Sequence, residues 1–347
     1  MLEQEIMGLQ EIAALAKVTR GAVANWRTRF KNFPKPIAQL AAGPVFQRDQ
    51  IITWLKRNRK PMASILSMIN LKGGVAKTTT TIALAQLLDC EFSKRVLIID
   101  LDPQTNATVM LIGDKKWREL NQKRHTIAQL FEDAISGESD FDLEATLQKK
   151  VGAVSDSRRV DLIPSSLDLI DIQDRLSQMD PGKFHALTPI EVIRRALRSL
   201  IEGDLYDFIL IDCPPSLGLV TLNGLRISDY YIIPTIPDFL STYGIPQILK
   251  RIRDFSDAAG HKIEPLGILA TKYRAQSSVH NQQLNLLRQG KDAPLFTTVV
   301  PENSEIAGAA EFRQISTLRQ KWGYRGQFDI YRSLAKEVLD KVEVPAV

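Results

Sequence analysis

Hydrophobic and polar positions follow two rhythms along this chain. Runs rich in Val, Ile and Leu at 65–71, 95–100, 160–164, 206–212, 230–237, 266–271 and 297–301 read as strands buried on both faces. Between them, a helical period predicts helices at 82–88, 126–135, 189–201, 241–255 and 331–342. Strand and helix in alternation predict an α/β fold, a mainly parallel sheet flanked by helices. The first sixty residues follow a different pattern. A short helix at 9–16 places Leu9, Ile12, Ala13 and Ala16 on one side, and Lys17-Val18-Thr19 reads as a tight turn. Thr19 is placed to cap a second helix at 20–29, with Val23 and Trp26 inward and Arg20, Asn25, Arg27 and Arg29 outward. Phe33-Pro34-Lys35-Pro36 stops that helix, because proline disfavours helical geometry before it. A strand or wing at 44–47 and a third helix at 50–58, with Ile51, Ile52, Trp54 and Leu55 inward, complete the segment.

Charge changes this picture at one place. Residues 1–60 hold eleven Lys/Arg against four acids, whereas the remainder holds 34 against 36. A basic head on a near-neutral body points to an anionic polymer as the partner of the head. Helix, short turn and basic helix is the layout of a helix-turn-helix, whose second helix enters the DNA major groove. The expected organisation is therefore a winged helix-turn-helix domain at 1–60, a linker near Arg57–Pro61, and a second domain at 61–347. No apolar run approaches the ~20 residues that cross a bilayer, and the acidic start Met1-Leu-Glu-Gln-Glu lacks a signal-peptide core. Two widely separated cysteines, Cys90 and Cys213, give neither a disulfide framework nor a zinc spacing. A reducing cytoplasm without a membrane partner is the expected setting.

The candidate chemistry begins where the run at 65–71 breaks into Lys72-Gly73-Gly74-Val75-Ala76-Lys77-Thr78-Thr79. Strand, glycine turn, helix is the layout of a phosphate-binding loop, in which backbone N–H groups and a helix N-terminus face an anion. Lys77 would bring a mobile positive charge to the phosphates, and the Thr78 hydroxyl would ligate Mg²⁺. The stretch departs from G-x-x-x-x-G-K-[ST]: Leu71 and Ala76 stand where the two glycines belong, and a second lysine, Lys72, precedes Gly73-Gly74. Two further strand ends carry acids, Asp100-Leu-Asp102-Pro-Gln-Thr-Asn106 and Asp212-Cys-Pro-Pro215. Such ends are where α/β sheets bind ligand.

K-G-G-x-x-K-T, D-x-D-P-Q-x-N and a strand ending in D-C-P-P resemble, in order, the deviant Walker A, switch I and Walker B/switch II elements of the ParA/MinD family of P-loop ATPases. The resemblance covers residues 64–345 or so and is carried by these three motifs. It implies ATP and Mg²⁺ as cofactors, with residues 72–79 around the phosphates. Lys72 would act as the signature lysine that reaches a partner chain's ATP in a sandwich dimer. Asp102 would orient the attacking water, with Lys72 and Lys77 balancing charge. Asp100 and Asp212, with Thr78, would serve the metal, and contacts to the base would come from Pro301 and Asn303. At Ala76 the family mostly has Gly, and little cost is expected there. The head resembles MerR-like and excisionase-like winged domains.

By this resemblance the chain is expected to be a DNA-partition ATPase of weak basal activity, cytoplasmic and nucleoid-associated. ATP would drive a homodimer onto non-specific DNA through a basic C-terminal surface (Arg313, Arg319, Lys321), and a centromere-binding partner would stimulate hydrolysis. Operator DNA would be bound through Thr19, Arg20, Asn25, Arg27 and Arg29. A ParA-like ATPase that positions a protein cargo along DNA is the alternative.

Overall fold

The computed structural model describes residues 6–16, 20–29, 32–58, 63–178, 189–309 and 311–343. It divides into two compact units at Pro61/Met62. Thr19 and the rest of the expected 17–19 turn lie outside the described residues, as do residues 59–61 of the expected linker.

In the first unit, strand β1 (Ile6–Gly8) leads into helix Leu9–Leu15, then helix Arg20–Arg29, strands β2 (Ala38–Leu40) and β3 (Gly43–Gln47), and helix Arg48–Asn58. The strands form one antiparallel sheet in the order β1-β3-β2. The strand expected at 44–47 is therefore the centre of a small sheet. Ile12, Val23, Phe46 and Ile51 are fully buried in the core of this unit. Phe33, from the proline-rich stop, packs its ring 4.6 Å from Trp54 and 5.6 Å from Phe46, so the segment that ends the helix also fills the core.

The second unit is built on six parallel strands: β4 (Ser64–Met68), β5 (Val96–Asp100), β6 (Val160–Ile163), β7 (Phe208–Asp212), β8 (Tyr230–Thr235) and β9 (Glu264–Ala270). Their order is β6-β5-β7-β4-β8-β9. Period-two alternation divides their side chains between two cores. Leu66, Met68, Val96, Ile98, Phe208 and Leu210 pack on one face, against helices Lys77–Phe92 and Gln327–Glu343. Ile65, Leu97, Ile99, Ile209 and Ile211 pack on the other, with side chains of helices Ile127–Ser136, Leu219–Ile227 and Ile245–Ala259. Helix Lys77–Phe92 is buried almost all round because it lies between the sheet and the last helix. Trp322 fastens the C-terminal region to it, donating from Nε1 to Gln86 Oε1 at 3.1 Å.

Three expectations change. The helix at 189–201 is two short helices, Val192–Ala196 and Arg198–Ile201. The helix at 241–255 begins earlier, as Phe239–Tyr243, breaks at Gly244 and resumes as Ile245–Ala259 with Pro246 in its first turn. Residues 297–301 are not a strand. The Glu337 carboxylate accepts the backbone N–H groups of Thr297 and Thr298 (2.8 and 3.1 Å), which leaves only single bridges, at Leu295 and Pro301.

Candidate active site

β4 and β7 are neighbours, and both their C-terminal ends open on one cleft. The loop after β4 is fixed by Asn70, which donates to Pro234 O at 2.8 Å and accepts from the Lys72 N–H at 2.9 Å. Gly74 has φ +74, a conformation that favours glycine. A Cβ added at Gly73 or Gly74 would meet nothing within 4 Å, so the loop faces open space. Ala76 enters the helix with φ 64 and ψ 32. This left-handed geometry overturns the expectation of little cost: for a non-glycine residue it costs about 1 kcal/mol. The Lys77 ammonium bends back to donate to the carbonyls of Asn70 (3.2 Å) and Lys72 (3.3 Å). Burial pulls its pKa down, against the opposing pull of Asp212 and Asp102.

Asp212, at the end of β7, is fully buried. Its Oδ1 accepts from Thr81 Oγ1 at 3.3 Å, and the Thr78 hydroxyl also hydrogen-bonds to the carboxylate. Its Oδ2 has no partner. Burial pushes the Asp212 carboxyl up to about 7; the Thr78 hydroxyl and Lys77 oppose this, and Asp102 adds to it. A carboxylate oxygen buried without a donor, beside a threonine hydroxyl, suits a hard cation. Among the described residues no group of three or more His, Cys, Asp or Glu could hold a metal by itself. A cation here would complete its shell with water or with a ligand's oxygens.

Asp100 stands opposite Asp212 across the β5–β7 ladder. Its Oδ2 accepts from Thr108 N (2.9 Å) and Oγ1 (2.6 Å), and its Oδ1 from Asp102 N (3.1 Å). Asp100 therefore holds the ends of the 100–108 loop together, and both its oxygens have donors. The loop is tied again where Ser165 Oγ donates to Asp102 O and Ser165 N donates to Thr108 Oγ1. Asp102 itself lines the cleft, accepting from Gln104 N at 2.9 Å, and burial raises its pKa against the Gln104 amide and Lys77.

The cleft has a volume of about 610 Å³, within the ordinary range for small-molecule sites. It gathers Gly73, Gly74, Ala76, Lys77, Thr78, Thr79 and Asp102, as expected, and also Pro301 and Asn303. Val75 is fully buried and faces the core, with only its carbonyl engaged, by Thr271 Oγ1. Lys72 does not line the cleft. Its Nζ is held by Asp238 Oδ2 (3.1 Å), Asp238 Oδ1 (3.4 Å) and Ser241 Oγ (2.7 Å) of its own chain. Gln104, Asn106, Pro215, Lys272 and Tyr331 also line the cleft and went unassigned in the sequence. The first three lie inside the recognised motifs, which is the signal that could have found them; Tyr331 read as core packing.

The expected DNA contacts fare unevenly. Arg20 and Arg27 are exposed on helix Arg20–Arg29; Arg20 donates to Ala42 O, and the Arg27 guanidinium lies 5.7 Å from the Phe46 ring centroid. The side chains of Asn25 and Arg29 lie outside the described residues, as does Thr19. Arg313 pairs with Glu311, and Arg319 pairs with Asp329 at 3.0 Å while lying over the Phe328 ring. Lys321 departs from expectation. It is only 6% exposed, set against Trp322, and burial lowers its pKa to about 8. A side chain folded into the apolar base of helix Leu318–Trp322 does not present a surface charge to a duplex.

A family model described as an AAA domain matches residues 63–264. An uncharacterized protein of Pseudomonas putida is 32% identical over 285 residues, 82% of this chain and 98% of that protein. The chromosome partitioning protein ParA of Caulobacter vibrioides is 28% identical over 278 residues, 80% of this chain and 94% of that one. Among solved structures, cobyrinic acid a,c-diamide synthase from Mycobacterium smegmatis with bound ATP analog and magnesium superposes with a TM-score of 0.61. It is 26% identical, and the match covers 81% of this chain and 96% of that chain.

Proposed function

Because the chain belongs to the ParA family of AAA-domain ATPases, we propose that it is a DNA-partition ATPase whose nucleotide site is the cleft at the ends of β4 and β7. One observation supports this reading most: a glycine loop, a buried lysine and Asp102 line a single cleft, and Asp212, buried at the end of the neighbouring strand, keeps one oxygen without a partner. Loop amides from Gly73 to Thr79 cradle the phosphates of ATP, and Lys77 exchanges its two carbonyls for phosphate oxygens. Thr78 and Asp212 would hold a magnesium ion, which would supply charge neutralisation at the phosphates. Asp100 serves this site indirectly, by fixing the loop that carries Asp102. Asp102 orients the attacking water from the cleft wall. Lys72 leaves Asp238 to reach the ATP of a second chain, so hydrolysis completes only in the dimer.

DNA is the track and the cargo in this reading. The ATP-bound dimer binds non-specific DNA through exposed arginines that include Arg313 and Arg319, with steep salt dependence. A centromere-binding protein stimulates hydrolysis and releases the dimer. The first unit acts as a winged helix-turn-helix domain on operator DNA, with Arg20 and Arg27 toward the phosphates. The protein then works in the cytoplasm, on the nucleoid. Among the described residues no helix is long and apolar enough to cross a membrane.

A nuclease footprint of the full chain on DNA flanking its own gene, with ADP and with ATP, tests this reading. The expected result is a discrete protected site, together with ATP-dependent retention of unrelated DNA that disappears as salt is raised. Absence of both would remove DNA from the function.

A further inference from the structure

Lys321, only 6% exposed, lines a second cleft of about 390 Å³ that shares no lining residue with the cleft at the ends of β4 and β7. Glu305, Glu311, Arg313, Tyr324 and Arg325 supply the other ionisable groups of its wall. Arg313 is paired with Glu311, and on the helix that carries Lys321, Arg319 is paired with Asp329. Lys321 has no such counter-ion. Among the described residues its ammonium makes neither a hydrogen bond nor an ion pair, and only the Trp322 ring, 5.4 Å away at its centroid, faces the charge. Burial alone lowers its pKa, to about 8, so no acid of the wall stands close enough to hold it. The nitrogen is not sealed in: unlike the Tyr331 oxygen, which has neither a partner nor appreciable surface, it keeps some accessible surface. A cation withdrawn from water without a partner is costly, and an anion brought beside it recovers part of that cost. Arg325, exposed and likewise unpaired among the described residues, adds a donor fork of the kind that suits oxyanions.

We infer that this second cleft binds a compact oxyanion of the phosphate class between the Lys321 ammonium and the Arg325 guanidinium. The anion is a small free one, because a charge recessed to this depth does not meet the backbone of a duplex. Glu311 is balanced by Arg313, which leaves Glu305 as the acid opposing the anion against two cations. An anion beside the amine favours its protonated form. Binding therefore takes up a proton above about pH 8 and weakens as the pH rises further; at lower pH the amine is already charged and the dependence flattens.

Trace labelling of the full chain with acetic anhydride over a range of pH, mapped by mass spectrometry, reads the free amine of each lysine. Sulfate serves as the anion because its charge is fixed over this range. Sulfate is expected to raise the Lys321 midpoint and to cut its labelling at about pH 8 by about fivefold, the effect of a one-unit shift. Exposed Lys115 should be unaffected. The protection should persist in Lys77→Ala and be largely lost in Arg325→Ala, with the anion-free midpoint of Lys321 unmoved in both. Lys321 labelling that ignores sulfate would overturn the inference, as would equal protection of Lys115, which would be a general salt effect. Protection that vanishes in Lys77→Ala would place the anion at the loop after β4 instead, and protection unchanged in Arg325→Ala would remove the paired-cation site. A short duplex that protects Lys321 as well as sulfate does would overturn the free-anion reading and assign the cleft to a DNA surface.

Discussion

Lys77 is buried with its ammonium shared between two carbonyls of its own loop, so it is held in place before any phosphate arrives. Replacing it removes the only lysine lining the loop part of the cleft. Lys77→Ala is expected to abolish ATP binding measured by titration calorimetry; unchanged affinity would sink the loop assignment. Asp102→Ala should separate binding from chemistry, keeping ATP-dependent dimers in light scattering while phosphate release falls to background. Ala76 offers a test of strain. With φ 64, Ala76→Gly relieves a left-handed alanine, offset in part by the greater freedom of the unfolded glycine. A gain of about 0.5 kcal/mol is expected in urea unfolding, and a loss would show that the loop relaxes elsewhere. These residues were legible in the sequence because their chemistry is local: fixed spacing from a strand end puts each group at the cleft. Lys321 and Tyr331 were not legible. A lysine between basic neighbours reads as surface, and only the fold of the C-terminal region turns it inward. Tyr331 matched the apolar stripe of its helix, and nothing along the chain indicates that its oxygen ends unpaired.

At the scale of elements, the six strands are visible because parallel strands between two helical layers must be apolar throughout. Residues 297–301 mislead for the same reason. Their composition is that of a strand, but Glu337, forty residues away from Thr297 in sequence, takes the amides that pairing would need. Helix Leu219–Ile227 shows how closely a layer can sit. A Cβ at Gly224 would come within 2.8 Å of Leu101 Cδ1 and 3.1 Å of Ile211 Cγ2. Leu101 lies between Asp100 and Asp102, so pushing it moves the loop that carries Asp102, to which the proposal gives the orienting of water. Gly224→Ala is expected to destabilise by about 1–3 kcal/mol, the usual range for overpacking, and to lower turnover in the same protein. Chemical denaturation read beside steady-state phosphate release checks both, and full activity at unchanged stability would mean that the helix simply shifts.

For the whole molecule, the boundary at Pro61/Met62 divides a small N-terminal unit with one core from a second unit with two. Removing residues 1–61 should therefore leave nucleotide hydrolysis within about twofold of the full chain while abolishing the discrete footprint. A footprint that survives the deletion would move sequence recognition into the ATPase unit. The division was readable in the sequence as a change of charge and of hydrophobic period at one place. Roles for the two units can be proposed only through motifs, because a basic surface alone does not say which polymer it meets.

The Lys72–Asp238 ion pair bears on how such a molecule behaves over time. Lys72 spends its solitary state bound to Asp238 and Ser241. A partly exposed ion pair of this kind contributes only about 0–1 kcal/mol. If Lys72 must let go of a carboxylate to grasp a triphosphate on a second copy, the event is a trade of one anion for another. Little is gained or lost in the trade itself, so neither direction is steeply uphill. Asp238 remains beside the vacated position and can recapture the lysine as soon as the γ-phosphate departs. In the proposed cycle the chain would thus carry its own means of resetting, with the Asp238 carboxylate waiting to take the lysine back.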